Sequence, residues 1–297
     1  MKNAEYFELN NFDLYKNNSL RIHAKAARFY LPHTTAGLVS LCRGIKERFV
    51  IIGKGSNTVF VNSNYKTPII CTDLLNDIEY KNGEFIVGCG VSLSQLAWLA
   101  LEKSVPGYEF LEDIPGSVGG ALVMNAGTYD DTIAQLVSSV TIYDYDKDEI
   151  VKLSDSELKP FWGKRESYFA KNNCCILECA LKADNEGNAT EILEKMLEIK
   201  KQRYMKQPRE YPSAGSVFKR PSLNGKSYYV WKLMDSLELR GFSVGGASVS
   251  EKHPGFIINK DNCSGEDIEQ LLQICKDSVK KEFGIDLQEE WKIIKEV

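Results

Sequence analysis

The sequence predicts an α+β protein built in two or three lobes. Three observations carry that expectation. Short apolar, strand-like runs are joined by glycine loops in the first half of the chain. Amphipathic helical patterns recur between and after them, and Gln207-Pro208 marks a boundary before a final third with helices and a strand of its own. A chain of 297 residues has ample core for several lobes.

Each element has its own signal. Residues 35–48 carry Leu38, Leu41, Cys42 and Ile45 at three- and four-residue spacing, which predicts a helix. Strands are expected at Phe49–Ile52, Val59–Val61, Pro68–Cys71 and Glu84–Cys89. A helix at 92–103 follows, with Ser92 and Gln95 fitting a capping box. Ser138–Tyr145 alternates as a strand, and Cys175–Ala183 is another. Asn188–Tyr204 forms an amphipathic helix with Glu191 placed to pair with Lys195. Beyond the boundary, 228–238 is helical, as is Ser264–Phe283 with its Ser264/Asp267 cap, and a last strand covers 287–294.

Between these elements lies Pro106–Gly127, with five glycines and two prolines in a segment too apolar for a surface linker. Pro115-Gly116 predicts a turn. Ser117-Val118-Gly119-Gly120 would then present a run of amide N–H groups, a concave nest for phosphate oxygens or for the polar edge of a ring. A tight buried turn is the alternative. A second glycine loop, Gly53-Lys54-Gly55-Ser56-Asn57, sits between two strands. Thr58 stands where a dinucleotide fingerprint needs glycine, and no helix pattern follows, so a Rossmann turn is disfavoured. Two separate loops suit one large cofactor with a diphosphate and a flat ring.

Composition narrows the partners. The net charge of −4 gives no electrostatic case for nucleic acid or an anionic membrane. There is no run of about 18 apolar residues and no signal-peptide pattern at the start, so a cytoplasmic protein without membrane insertion is expected. The eight cysteines lack zinc-ligand spacing and are expected as reduced, mostly buried thiols; with three histidines, no metal site is expected. A third cluster, Tyr211–Pro221, offers small residues, the Ser216 hydroxyl and the cations Lys219 and Arg220. With Gly241–Ala247 and Glu251-Lys252-His253 it has the residue types to hold an anionic small molecule, though each alone also suits a turn or a solvated pair.

Taken together, GKGSN, GYEFLEDIPGSVGGALVMNAG, YPSAGSVFKRP, GGASVSEKHPGFIIN and LQEEWKII resemble, in order from about residue 17 onward, the UDP-N-acetylenolpyruvoylglucosamine reductase (MurB) family, in its branch with a compact substrate domain. The resemblance implies an α+β protein with a two-lobed FAD-binding fold of the vanillyl-alcohol-oxidase type (1–73 and 74–206) and a C-terminal α+β substrate domain (207–297). It implies non-covalent FAD, NADPH as hydride donor and UDP-N-acetylglucosamine enolpyruvate as substrate, in peptidoglycan precursor synthesis. Oligomeric state stays open, with a monomer as one expectation.

By the same register, Ser216 corresponds to the proton donor, Arg165 to the arginine that forks onto the substrate carboxylate, and Glu290 to a glutamate assisting polarisation. FAD residues would be Gly53, Gly55, Ser56, Asn57 and Thr58, then Gly116, Ser117, Val118, Gly119 and Gly120, then Asn125, Ala126 and Gly127. Lys219, Arg240 and His253 are candidates for the UDP-sugar. The chain departs from the family at Lys164 (usually tyrosine), Glu112-Asp113, His23-Ala24, Val230-Trp231 and Ser243. These departures bear on cofactor affinity and rate, and leave open whether the acidic pair touches the flavin. Two other readings stay open: another FAD-dependent oxidase of the same fold, or a paralogue that binds flavin or nucleotide-sugar without turnover.

Overall fold

The computed structural model describes residues 5–128 and 131–296. The chain forms two compact units and passes between them at 9/10, 27/28, 54/55, 67/68 and 203/204.

The first unit holds the chain up to Leu9, Arg28–Lys54 and Pro68–Arg203. Its centre is an antiparallel sheet in the order Glu149–Ser154, Val137–Asp144, Cys174–Lys182, Glu84–Gly88, Ile78–Lys81. Val137–Asp144 and Cys174–Lys182 are buried on both faces over most of their length, in runs such as Ile142–Asp144, Cys175–Leu177 and Cys179–Leu181, as befits the middle of a covered sheet. Beside it, Val50–Ile52 and Ile69–Cys71 pair in parallel. The Leu93–Glu102 helix starts where Ser92 Oγ accepts from Gln95 N at 3.1 Å. Its buried face supplies Leu96 to a core that Phe85, Val87, Tyr108 and Phe110 share.

The second unit holds Asn10–Ala27, Gly55–Thr67 and the chain from Tyr204 onward. Its four-stranded antiparallel sheet runs Ser213–Ser216, Phe256–Asn259, Ala247–Val249, Ser243–Val244. The Gly265–Phe283 helix buries Ile268, Leu271, Leu272, Cys275 and Val279, and it opens on the Ser264/Asp267 capping box. Gly284 ends it in the left-handed region, at φ 67°. Lys292–Ile294 pairs in parallel with Thr58–Phe60, so a strand of the glycine-loop region is closed by one more than two hundred residues later.

Several expected boundaries move. The first helix is Thr35–Gly44 and stops there because Ile45 turns extended. The last strand is only Lys292–Ile294; residues 288–290 bond instead to 217–219 through single contacts and one isolated bridge. Most notably, Val118–Met124 is a helix capped by Ser117, where a turn and an open nest were expected. Glycines at 119 and 120 hid its pattern, and Gly119 is there for packing: a Cβ would stand 2.9 Å from that of Cys89.

Lys195, expected to pair with Glu191, reaches Glu109 at 3.4 Å. It belongs to a series along the Ala189–Lys206 helix. Lys200 bonds Glu112 at 2.8 Å, and Arg203 Nε bonds Asp113 at 2.7 Å. The acidic pair of the glycine stretch therefore docks a helix. Only the last of these pairs is largely dry at both ends, with side chains 16% and 9% exposed; the lysines are half in water and contribute little. Arg203→Ala, which takes the guanidinium away from Asp113, should cost about 3 kcal/mol of unfolding free energy, read as a lowered urea midpoint at constant slope. A loss below about 0.5 kcal/mol would mean the pair behaves as a surface pair.

Candidate active site

The expected site residues fall into two sets. Gly53, Gly116–Gly120, Asn125–Gly127 and Arg165 lie in the first unit, while Gly55–Thr58, Ser216, Lys219, Arg240, His253 and Glu290 lie in the second.

In the second unit the backbone brings three distant segments together. Asn57 Nδ2 donates to Glu290 O at 3.0 Å, and Glu290 N donates to Val217 O at 2.8 Å. Lys292 N bonds Asn57 O and Lys219 N bonds Gln288 O, each at 2.8 Å. The Gly-Ser-Asn loop, the Gly-Ser-Val-Phe segment and the C-terminal glutamate are thus neighbours. Ser216 is exposed, and its placement has a local cause. Between Ser213 and Ser216 the ladder with Phe256–Asn259 slips by a bulge, with Gly215 at φ 80°. Such a bulge re-aims the next side chain at a sheet edge.

Two substrate candidates have protein partners of their own. Arg240 forks onto Asp235, with Nη2 to Oδ2 at 2.8 Å, and also donates to Glu251 O. His253 Nδ1 accepts from Gly255 N at 3.1 Å, and its ring packs on Phe256. Burial lowers its pKa below the ordinary histidine value, so the ring is neutral at pH 7. Lys219 lies three residues along the same segment as Ser216. Arg220, a cation of the 211–221 cluster, stacks 3.8 Å over Tyr229; Lys232, which the sequence did not single out as a ligand group, lies within 6 Å of the Tyr229 and Trp231 rings. The alternation of cations and aromatics through 220–232 was the signal available for it.

In the first unit the expected nest is closed. Val118 N donates to Val91 O and Gly119 N to Cys89 O, both at 2.8 Å, while Gly120 N donates to Ser117 Oγ at 3.3 Å. These amides hold the helix to the sheet. Polar capacity lies instead at the other end of the helix. Asn125 Oδ1 and Thr128 Oγ1 are buried with no partner among the described residues. Gly53 meets Ser117 closely; a Cβ at 53 would lie 2.2 Å from Ser117 Oγ, whereas one at Gly120 would meet nothing nearer than that Oγ at 3.4 Å.

Arg165 occupies a tight turn in which Gly163 and Glu166 exchange backbone bonds, N to O at 3.1 and 3.3 Å. It sits at φ 60°, at the second central position, where glycine is the ordinary occupant. A left-handed arginine costs about 1 kcal/mol, a cost of the sort that collects at functional sites. Its guanidinium approaches Asn125 O at 3.4 Å and Gly127 O at 3.5 Å. Among the described residues, no group of three His, Cys, Asp or Glu side chains could hold a metal ion. No helix there is long and apolar enough to cross a membrane. The cysteines are free thiols, and all but Cys174 are buried.

Two compact α+β units, the first with buried polar atoms that have no partner among the described residues beside a left-handed arginine, suit a flavoprotein with a second domain for its substrate. Residues 26–154 match the FAD binding domain family, and 207–294 match the C-terminal domain of UDP-N-acetylenolpyruvoylglucosamine reductase. The reductase of Fervidobacterium nodosum is 38% identical over 293 residues, covering 95% of this chain and 92% of its own. That of Clostridium tetani is 40% identical over 254 residues, covering 86% and 80%. The crystal structure of the Thermus caldophilus reductase matches with a TM-score of 0.80 at 26% identity, over 98% of this chain and 99% of its own. The chain belongs to the UDP-N-acetylenolpyruvoylglucosamine reductase family.

FAD fits what the first unit offers. Asn125 Oδ1 and Thr128 Oγ1, without partners among the described residues, would suit the alternating N–H and carbonyl edge of a flavin ring.

His253 also yields a pH prediction. Its folded-state pKa is depressed, so its neutral form contributes stability above the ordinary histidine range, and that stability is lost as pH falls through the folded value. His253→Asn keeps an acceptor for Gly255 N and removes the titration. Its unfolding free energy should fall less steeply than the parent's below about pH 6.5; parallel pH profiles would refute the assignment.

Proposed function

We propose that this chain carries out the FAD-dependent reduction of UDP-N-acetylglucosamine enolpyruvate to UDP-N-acetylmuramate, with NADPH as hydride donor, as a cytoplasmic step of peptidoglycan precursor synthesis. The observation that carries the reading is the clamp joining Asn57, Val217 and Glu290, which sets the Ser216 segment beside the C-terminal glutamate in a chain of this family. The expected lobes 1–73 and 74–206 for the flavin and 207–297 for the sugar belong to the same reading.

Bound FAD supplies hydride transfer in both directions, from the nicotinamide and to the enolpyruvyl double bond. The chain's residues manage charge and protons. Adding hydride builds negative charge on the carbon next to the carboxylate. Ser216 delivers a proton to that carbon; a hydroxyl is a weak acid, so this works only with a strongly basic carbanion and a fixed geometry. The Gly215 bulge and the Val217 bond to Gly255 O at 3.0 Å provide that fixity. Arg165 forks onto the carboxylate and takes up developing enolate charge, and Glu290 assists the polarisation. Asn125, Thr128, Gly53 and Gly120 would hold the flavin. Lys219, Arg240 and His253 are candidates for the UDP-sugar, and Arg220 and Lys232 with Tyr229 and Trp231 suit its diphosphate and base.

The test is anaerobic stopped-flow on FAD-reconstituted protein. NADPH should bleach the flavin band, and the enolpyruvate should restore it. Bleaching that only oxygen reverses would point to an oxidase, and a protein that takes up no flavin would point to a non-catalytic paralogue. Ser216→Ala should leave the NADPH half-reaction near normal and slow the second half by about 10²-fold or more; equal slowing of both halves would make Ser216 structural. Arg165→Lys keeps the charge and loses the two-pronged fork, so kcat/KM should drop by at least about tenfold. An unchanged value would argue against the clamp.

A further inference from the structure

We infer that Asn125 is the positioning residue for Arg165, fixing the arginine's turn through its side-chain amide and its own carbonyl. The inference rests on the reading of Arg165 as the carboxylate clamp. Asn125 is buried, ends the Val118–Met124 helix and sits at φ 42° in the left-handed region. Its Nδ2 donates to Gly163 O at 2.8 Å, and its backbone oxygen accepts from Arg165 Nη1 at 3.4 Å. One residue thus grips the Arg165 turn at its first carbonyl and at the guanidinium it presents. Its remaining side-chain atom, Oδ1, is buried without a protein partner among the described residues. The same side chain therefore has one end on the turn and one end without a partner among the described residues.

The geometry also explains why this residue is asparagine. A left-handed helix terminus is served by Gly or Asn, and Gly would suffice for the backbone alone. Only Asn adds a donor for Gly163 O. The turn needs that donor because Arg165 holds a φ that its own side chain disfavours. A bond on the first carbonyl of the turn offsets part of that strain and limits the orientations open to the guanidinium.

Asn125→Gly separates the two roles, since it keeps the backbone conformation and removes the side chain. Its thermal midpoint should stay near the parent's. The probes are UDP-N-acetylglucosamine enolpyruvate and UDP-N-acetylglucosamine, which lacks the carboxylate, titrated calorimetrically into the FAD-loaded protein. Asn125→Gly should shrink the preference for the carboxylate-bearing ligand by about tenfold, the worth of one hydrogen bond at its upper range. Arg165→Ala should shrink it at least as far, and the double variant no further than Arg165→Ala. Limited trypsinolysis after Lys164 and Arg165, followed by mass spectrometry, should be faster in Asn125→Gly than in the parent, whether or not the protein is catalytically competent. An intact preference and an unchanged cleavage rate, in a background where Arg165→Ala abolishes the preference, would overturn the inference. A preference that survives Arg165→Ala would instead overturn the clamp reading, and the cleavage rate would still decide whether Asn125 holds the turn. If Asn125→Gly fails to fold, Asn125 is a stability residue and the positioning role is rejected.

Discussion

The backbone of Glu290 is gripped from two directions, and much of the second unit depends on that grip. Its carbonyl takes a bond from Asn57 and its amide gives one to Val217. The three residues come from three separate stretches of chain, so closing these contacts carries the loop entropy of two long excursions. Burial on both sides repays it: Val59, Val217, Phe218, Leu287 and Trp291 share one core with the long Gly265–Phe283 helix. Sheet, helix and clamp therefore form together. The exposed serine and the half-buried glutamate are held on a framework that leaves their backbones little freedom.

The first unit poses a different problem. Arg165 is held at a left-handed φ, and two buried polar atoms, Asn125 Oδ1 and Thr128 Oγ1, have no partner among the described residues. An unpartnered buried acceptor is unfavourable until something meets it, so a ligand reaching the 125–128 stretch would gain what a fully bonded turn could not offer. The amides of 118–120, which have partners in the sheet and in the helix cap, cannot play that part.

The long helices, the main strands and the α+β class were legible in the sequence because their signals are periodic and local. The Ser264/Asp267 box and the Ser92 cap were readable from residue identity alone. The Val118–Met124 helix was not, since paired glycines suppress helix propensity and its start is fixed by bonds to Cys89 and Val91 that no local pattern encodes. The acids Glu112 and Asp113 looked like departures near a cofactor; their partners, like that of Glu109, lie some ninety residues away on another helix. Arg240 and His253 offered suitable chemistry, and only three-dimensional neighbours reveal that Asp235 and Gly255 engage them. Motif order, by contrast, singled out Ser216, Glu290 and Asn57 without any geometry, and the chain bonds Asn57 and Val217 to Glu290.

The parallel pairing of Thr58–Phe60 with Lys292–Ile294 has a consequence for biosynthesis. At translation rates of about 5–20 residues per second, the earlier strand leaves the ribosome roughly ten seconds or more before its partner exists. Over that interval Val59 and Phe60, fully buried in the finished molecule, have neither their strand partner nor much of their core. The nascent chain thus carries an apolar edge that is open to chaperones and to aggregation, and the arrival of Lys292–Ile294 is what removes it.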